Sequence, residues 1–152
     1  MRLNLGCGMY PLEGWTNVDA HCPAEIQGDV RELAFEDVDE VNMSHLLEHL
    51  SWRETTPVLK RVRSWMNPSG KLTIEVPDMD AIMALGTEHL LWFKYVYGDQ
   101  SHDGELHLAG FTGWRLADLL QGAGWRLGAI VRFRSEHKGR ESMPCLLALA
   151  YA

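Results

Sequence analysis

LNLGCGMYPLEGWTNVDA, residues 3–20, holds two short apolar runs separated by a glycine-containing connection. Arg2–Leu5 and Thr16–Asp19 are too short for helices and read as buried strands. A strand that runs into Gly6-Cys7-Gly8 is where an open α/β sheet brings its backbone up to a ligand, at the carboxyl end of the strand. By itself, G-x-G is equally the pattern of an ordinary tight turn. The second run adds information because it ends in Asp19. A carboxylate at that strand tip can accept hydrogen bonds from both hydroxyls of a ribose. A third short run, Glu25–Gly28, leads into Asp29-Val30, where Asp29 can accept the amino hydrogens of adenine. Two acids and a glycine turn outline a nucleoside site.

A nicotinamide dinucleotide fits poorly. G-x-G-x-x-G requires glycine where Pro11 stands, and its acid follows roughly 20 residues later, well beyond Asp19. Pro11 and Gly14 also leave little room for a helix whose amino terminus could hold a pyrophosphate. A nucleoside without phosphates fits better.

The rest of the chain continues an alternation of strands and helices. Glu40–Ser44 and Lys71–Val76 read as a fourth and a fifth strand. Between them Val58, Leu59, Val62, Trp65 and Met66 share one helical face, and Asn67-Pro68-Ser69-Gly70 reads as the stop. The helix start has two candidates: a capping box from Ser51 to Glu54, or Thr56 capping a first-turn Pro57. After Pro77 the sequence is helical and aromatic to Tyr97, breaks over Gly98–Gly104, and resumes as a helix near Thr112–Leu120 that Gly122-Ala123-Gly124 stops. Trp125–Arg134 and Pro144–Tyr151 then read as an antiparallel hairpin around Lys138-Gly139-Arg140.

Composition sets the outer limits. At 152 residues, with no repeat and no Pro/Gly/Ser-rich linker, one domain over residues 1–152 is expected. A domain of that size buries roughly two-thirds of the surface its unfolded chain exposes. Hydrophobic residues make up 46% of the chain, yet no apolar run approaches the length of a membrane span. A net charge of −7 opposes the general attraction of phosphate backbones, so a nucleic-acid surface is not expected. Three unpaired-looking cysteines, Cys7, Cys22 and Cys145, and a start without a charged-then-apolar leader fit a reducing cytoplasm. Charge is uneven. Asp29 to Glu54 is acidic, while Arg126, Arg132, Arg134, Lys138 and Arg140 make the C-terminal part basic; this reads as a solvated hairpin, with an anionic substrate or partner as the alternative.

One further stretch, His45-Leu46-Leu47-Glu48-His49, matches H-x-x-E-H, in which two histidines one helical turn apart bind zinc and the glutamate activates water. That chemistry needs both histidines on one helix and a third protein ligand. Here His45 falls at the carboxyl end of the fourth strand, and the later acids Glu136 and Glu141 fall in hairpin or turn sequence. No metal is expected. The plain alternative is that Leu46, Leu47 and Leu50 pack while Glu48 and His49 cap or face solvent.

Taken together, LNLGCGMYPLEGWTNVDA, GDVRELAF, SHLLEHL, MNPSGKLTIEVPD and YGDQSHDGELHLAGFT leading into LADLLQGAGW resemble a small class I S-adenosylmethionine-dependent methyltransferase, of the type placed near sugar or polysaccharide pathways. The resemblance covers nearly the whole chain. It implies a three-layer Rossmann-like α/β fold: a mostly parallel seven-stranded sheet with a C-terminal antiparallel hairpin. It departs from the family in having no helix before the first strand and no long helix between the first two.

Residue by residue, the resemblance implies that Gly6, Cys7 and Gly8 contact the methionine and ribose end of S-adenosylmethionine, Asp19 its ribose hydroxyls, and Asp29 with Val30 its adenine. Ser44 and His45 would border the sulfonium. Methyl transfer requires alignment, water exclusion and, for a hydroxyl or amine acceptor, removal of a proton. His107 and then His102 are the candidates for that base, because substrate-facing insertions follow the fifth strand in this family; Glu48 and His49 line the substrate side. The acceptor is a small molecule such as a sugar, a carboxylate or an amine. A catalytically inactive binding or oligomerisation module is the competing reading, and a zinc hydrolase a distant third.

With short crossovers before the second and third strands, one sheet face lacks helices. The expectation is that a homodimer partner, or the aromatic segment His89–Tyr97 folding back, covers it.

Overall fold

The computed structural model describes residues 1–101, 103–135 and 142–152. Seven strands form one sheet: β1 Arg2–Leu5, β2 Thr16–Asp19, β3 Ile26–Gln27, β4 Val38–Ser44, β5 Met66–Pro77, β6 Arg126–Ser135 and β7 Met143–Tyr151. Their order is β3-β2-β1-β4-β5-β7-β6. The first five are mutually parallel where they pair, and β7 runs antiparallel to both β5 and β6. From β1 the chain moves outward to β2 and β3, then returns to the other side of β1 as β4. The carboxyl ends of β1 and β4 are therefore the switch point of the sheet, the place where open α/β sheets bind ligands.

Helices α1 Thr55–Trp65 and α4 Gly113–Gly122 cover one face of the sheet. Leu3, Leu5, Val41, Met43, Leu72, Ile74, Leu146 and Ala148 point toward them, and Val58, Leu59, Val62, Leu116 and Leu120 fill the space between. Trp125 follows α4 and donates its indole N–H to the Leu59 carbonyl at 3.0 Å, locking the two helices together. Helices α2 Met79–Leu85 and α3 Trp92–Tyr97 form a separate small cluster around Ile82, Trp92 and Tyr95, with Met143 packed against it. No helix among the described residues is long and apolar enough to cross a membrane.

The opposite face is where the expectation changes. Strand alternation puts Asn17, Asn4 and Asn42 side by side on β2, β1 and β4, in register. Asn4 Nδ2 donates to Asn17 Oδ1 and Asn42 Nδ2 donates to Asn4 Oδ1, both at 2.9 Å. The ten-residue link 6–15 is too short for a crossover helix, so it lies across these strands as a loop. Asn17 holds it there, donating to the Leu12 and Trp15 carbonyls at 3.1 Å and accepting from the Leu12 N–H at 2.8 Å. This part of the helix-poor face is thus polar and internally paired rather than the apolar patch the short crossovers suggested. The aromatic segment packs on α2 and Met143.

Several local readings also change. Asn67–Gly70 does not stop α1 as a turn; β5 starts already at Met66, because Val38 pairs with it across a bulge in β4. Neither proposed cap operates: Glu54 stands at the N-cap and its side chain makes no capping bond to the helix, and the Thr55 hydroxyl instead donates to the Trp52 carbonyl at 3.0 Å. The third strand shrinks to Ile26–Gln27. Helix α4 starts as the sequence suggests, with Thr112 accepting from the Arg115 N–H at 3.1 Å.

Asn4 is 3% exposed and bonded on both sides. Asn4→Ala is expected to lower stability by about 2 kcal/mol, since it breaks two bonds, leaving the Asn42 amide N–H without its partner and Asn17 Oδ1 with Leu12 as its one donor. Asn42→Ala, which breaks one bond at a half-buried position, should cost about 1 kcal/mol. Urea unfolding midpoints test the pair, and an unchanged midpoint for Asn4→Ala would contradict a structural role for the row.

Candidate active site

Gly6 and Gly8, at the end of β1, adopt φ of +68° and +52°, a left-handed conformation that favours glycine. A Cβ on Gly6 would lie 2.9 Å from Leu46 Cδ1, so the glycine turn and the segment after β4 fit closely together. A Cβ on Gly8 would meet nothing within 4 Å: the backbone here borders open space. The Gly8 N–H donates to Asp19 Oδ2 at 2.7 Å, joining the turn to the tip of β2. Asp19 Oδ1 accepts from the His21 and Cys22 N–H groups at 2.8 and 2.7 Å. A carboxylate offers about four lone-pair directions, so Oδ2 retains capacity for one more donor. Cys7 is buried, and burial followed by the nearby Asp19 charge pushes its thiol pKa up.

Asp29 is differently placed from the sequence expectation of a free acceptor. Arg31 grips its carboxylate through Nε and Nη2, with Nη2 2.5 Å from Oδ2, and the Arg31 N–H adds a bond of 2.8 Å to Oδ1. Arg31 Nη1 reaches on to Glu54 at 3.1 Å. For Asp29 to accept an adenine amino group, Arg31 has to release it. Val30 beside it is buried in the main core.

The HLLEH stretch forms no helix long enough to present two histidines. His45 sits at φ +52°, and only Leu47–His49 makes a 3₁₀ turn. His45 instead bridges two acids: Nδ1 lies 2.7 Å from Glu48 Oε1 and Nε2 lies 3.1 Å from Glu75 Oε1. Burial by itself would lower the His45 pKa, but Cys145, Glu48 and Glu75 outweigh it and hold the imidazole protonated, well above its ordinary range. Burial works to raise the Glu75 pKa, yet bonds from His45 and the Ser135 and Ser44 hydroxyls bring it down to about 2. Ser44 Oγ lies 3.1 Å from Glu75 Oε2. Ser44 and His45 are thus parts of a charged cluster at the β4–β5 edge.

Three of the expected substrate-side residues converge. The Leu108 and Ala109 N–H groups donate to the Glu48 carbonyl at 2.7 and 3.1 Å, which lays the segment after α3 over the HLLEH turn. His107 thereby comes edge-on to His49, ring centres 5.0 Å apart. Burial pushes the His107 pKa down, so its imidazole is neutral at pH 7. Gly98 makes the close approach feasible: with φ +83°, any Cβ there would collide with the Glu105 carbonyl oxygen. Glu105 is in turn near enough to Cys22 to contribute, after burial and Asp19, to raising that thiol's pKa. His102, Glu136 and Glu141 lie outside the described residues.

Sequence reading missed Glu75, Cys145, Arg31 and the asparagine row. Asparagine at the alternate positions of Leu3-Asn4-Leu5 and Val41-Asn42-Met43 was a signal of a polar face, and Glu75 between Ile74 and Val76 was another. Cys145 gave none.

The Arg31 contact has a measurable pH consequence. Its side-chain bonds, partly opposed by burial, hold the Asp29 pKa below the ordinary carboxylate value. The stability that Asp29 contributes is therefore present above its unfolded-state pKa and is lost as pH falls through the lower folded-state pKa. Side-chain carboxyl NMR should find its midpoint below about 3.9. Arg31→Ala should move the midpoint upward, and a midpoint unmoved by that substitution would count against the contact.

No known sequence family and no curated protein matches the chain. Solved structures do. A SAM-dependent methyltransferase from Methanosarcina mazei superposes with a TM-score of 0.70 at 15% identity, over 99% of this chain and 91% of the other. A second, from Archaeoglobus fulgidus, gives 0.69 at 17% identity, over 99% and 85%. The Burkholderia thailandensis 1,6-didemethyltoxoflavin-N1-methyltransferase, solved with bound 1,6-didemethyltoxoflavin and S-adenosylhomocysteine, gives 0.69 at 20% identity, over 99% and 69%. The seven-stranded sheet with its reversed β7 is the fold of the class I SAM-dependent methyltransferases.

Proposed function

We propose that this protein is an S-adenosylmethionine-dependent methyltransferase acting on a small molecule. The observation that carries the reading is the joint at the switch point: the Gly8 N–H bound to Asp19, with open space where a Gly8 side chain would stand. Fold alone does not specify chemistry; what supports the reading is that Asp19 Oδ2 keeps one acceptor position, which a ribose hydroxyl can fill. Gly6 and Gly8 would admit the cofactor's methionine and ribose end close to the backbone, and the spare capacity of Asp19 Oδ2 would take a ribose hydroxyl. Ser44 and His45 border the same end of the sheet. Val30 and Asp29 would meet the adenine once Arg31 has turned away.

When bound, S-adenosylmethionine supplies an electrophilic methyl group. The chain's own residues must then align the acceptor and exclude water. The segment containing His107, laced onto Glu48, would form the wall on the acceptor side. For a hydroxyl or amine acceptor, the neutral His107 imidazole is the base favoured by this arrangement. The pairing of Asp29 with Arg31 favours the second reading, a methyltransferase-like module that does not turn over.

Two substitutions test the cofactor site by calorimetric titration with S-adenosylhomocysteine, and turnover separates the two readings. Asp19→Ala should weaken binding by about 1.5–3 kcal/mol, or roughly 10- to 150-fold. Gly8→Asn keeps a residue type that tolerates the left-handed conformation while filling the open space, so it should abolish binding with little change in unfolding midpoint. Wild-type binding followed by methyl transfer to a sugar, carboxylate or amine supports the enzyme, and binding without any turnover supports the module. No wild-type binding would reject the enzyme and leave a non-catalytic module that has lost the cofactor.

A further inference from the structure

Glu48, His49 and His107 each bring one ligand-type atom to within 4.8 Å of the other two. Glu48 is 1% exposed, its Oε1 is bound to His45, and its Oε2 has no hydrogen-bond partner. A buried carboxylate oxygen left without a donor is costly, and such atoms are rare in folded proteins.

Both imidazoles are oriented from behind. His49 Nδ1 lies 3.1 Å from the Leu106 carbonyl oxygen, and His107 Nδ1 lies 3.0 Å from that of Tyr95. A carbonyl oxygen only accepts, so Nδ1 carries a proton in each ring, and in the neutral form of the ring the lone pair is on Nε2. This is the arrangement of metal-bound histidines, whose second nitrogen donates to a carbonyl that fixes tautomer and ring direction. His45 does the equivalent for Glu48 by engaging Oε1 and leaving Oε2.

A second set, His45, Glu75 and Cys145, is equally close-packed but already satisfied. Both His45 nitrogens are spent on acids, so it has no lone pair for a cation. The metal-like motif read in the sequence is therefore realised with different ligands: His45 is not one of them, and the third comes from a distant segment.

The geometry points to a divalent transition-metal site formed by Glu48 Oε2, His49 Nε2 and His107 Nε2. Two imidazoles and a carboxylate suit Zn²⁺ and its neighbours, which bind them at about 2.1 Å, so the three ligand atoms would draw in to about 3.4 Å apart. Three protein ligands leave a coordination position open. In the methyltransferase reading an acceptor oxygen would occupy it, and the metal, which acidifies a bound hydroxyl, would then take the place of His107 as base, because the His107 Nε2 lone pair is used as a ligand; metal binding itself does not depend on that reading.

The test uses the whole chain, stripped with chelator and dialysed against Zn²⁺, with bound metal quantified by atomic absorption. One Zn²⁺ per chain and a raised unfolding midpoint are expected. His49→Ala and His107→Ala should each weaken binding at least tenfold, and His89→Ala, outside the cluster, should leave it unchanged. Co²⁺ in place of Zn²⁺ should give visible absorption bands that disappear in His107→Ala. Near-UV circular dichroism of the metal-free variants identifies any that fail to fold, and Glu48→Gln serves as the third ligand variant if it folds. Substoichiometric metal, or binding by both histidine variants as in the wild type, would overturn the proposal. S-adenosylhomocysteine titrated into metal-free wild type reads the cofactor site separately, so the two ideas fail independently.

Discussion

The side chain of Asn17 makes four hydrogen bonds, two to the loop 6–15 through its amide N–H groups and two, from Leu12 and Asn4, to its oxygen. That exhausts the capacity of an amide. The rest of the architecture at the carboxyl end of β1 depends on it. A parallel pair needs a connection that climbs back to the start of the next strand, and ten residues without a helix can do so only as a chain laid across the sheet. Such a chain has backbone groups that need partners, and Asn17 provides them. With the loop fixed, the Gly6-Cys7-Gly8 turn is held at the sheet edge, where Gly8 meets Asp19.

Polar pairing here substitutes for the layer of helices that ordinarily covers this side of a parallel sheet. A continuous row from Asn17 through Asn4 to Asn42 satisfies each inner amide by its neighbour, so the strands carry a dry apolar face toward α1 and α4 and a hydrogen-bonded face on the other side. The arrangement is economical in chain length and specific in register. A slip of one residue would turn every asparagine into the apolar core.

At the neighbouring strand end, charge is organised in the same closed way. His45, held at a positive φ, sits between Glu48 and Glu75, and burial makes the pairing strict: removing any one of the three would strand a charge. What this triad leaves over is Glu48 Oε2, which has no hydrogen-bond partner, in a side chain that lies close to the two imidazoles. The glycine turn and the His45–Glu48 cluster thus meet where β1 and β4 lie adjacent, with Leu46 packed on Gly6 between them.

The strands, the glycine turn and the acid at the tip of β2 were legible in the sequence because each depends on local pattern: alternation, residue type and spacing within a few positions. The α/β class with a C-terminal hairpin followed from the same signals. Burial fractions, partners and charge states were not legible, because they depend on residues far apart in the chain. His107 meets Glu48 and His49 only because backbone bonds fold residues 106–109 over a turn nearly sixty positions earlier. Asp29 looked like a free acceptor in the sequence, and in the structure Arg31 holds its carboxylate. The sequence by itself determined which residue types stand at the strand ends; the tertiary structure decided which of them remain available to a ligand, because availability is what is left after neighbouring groups have satisfied one another.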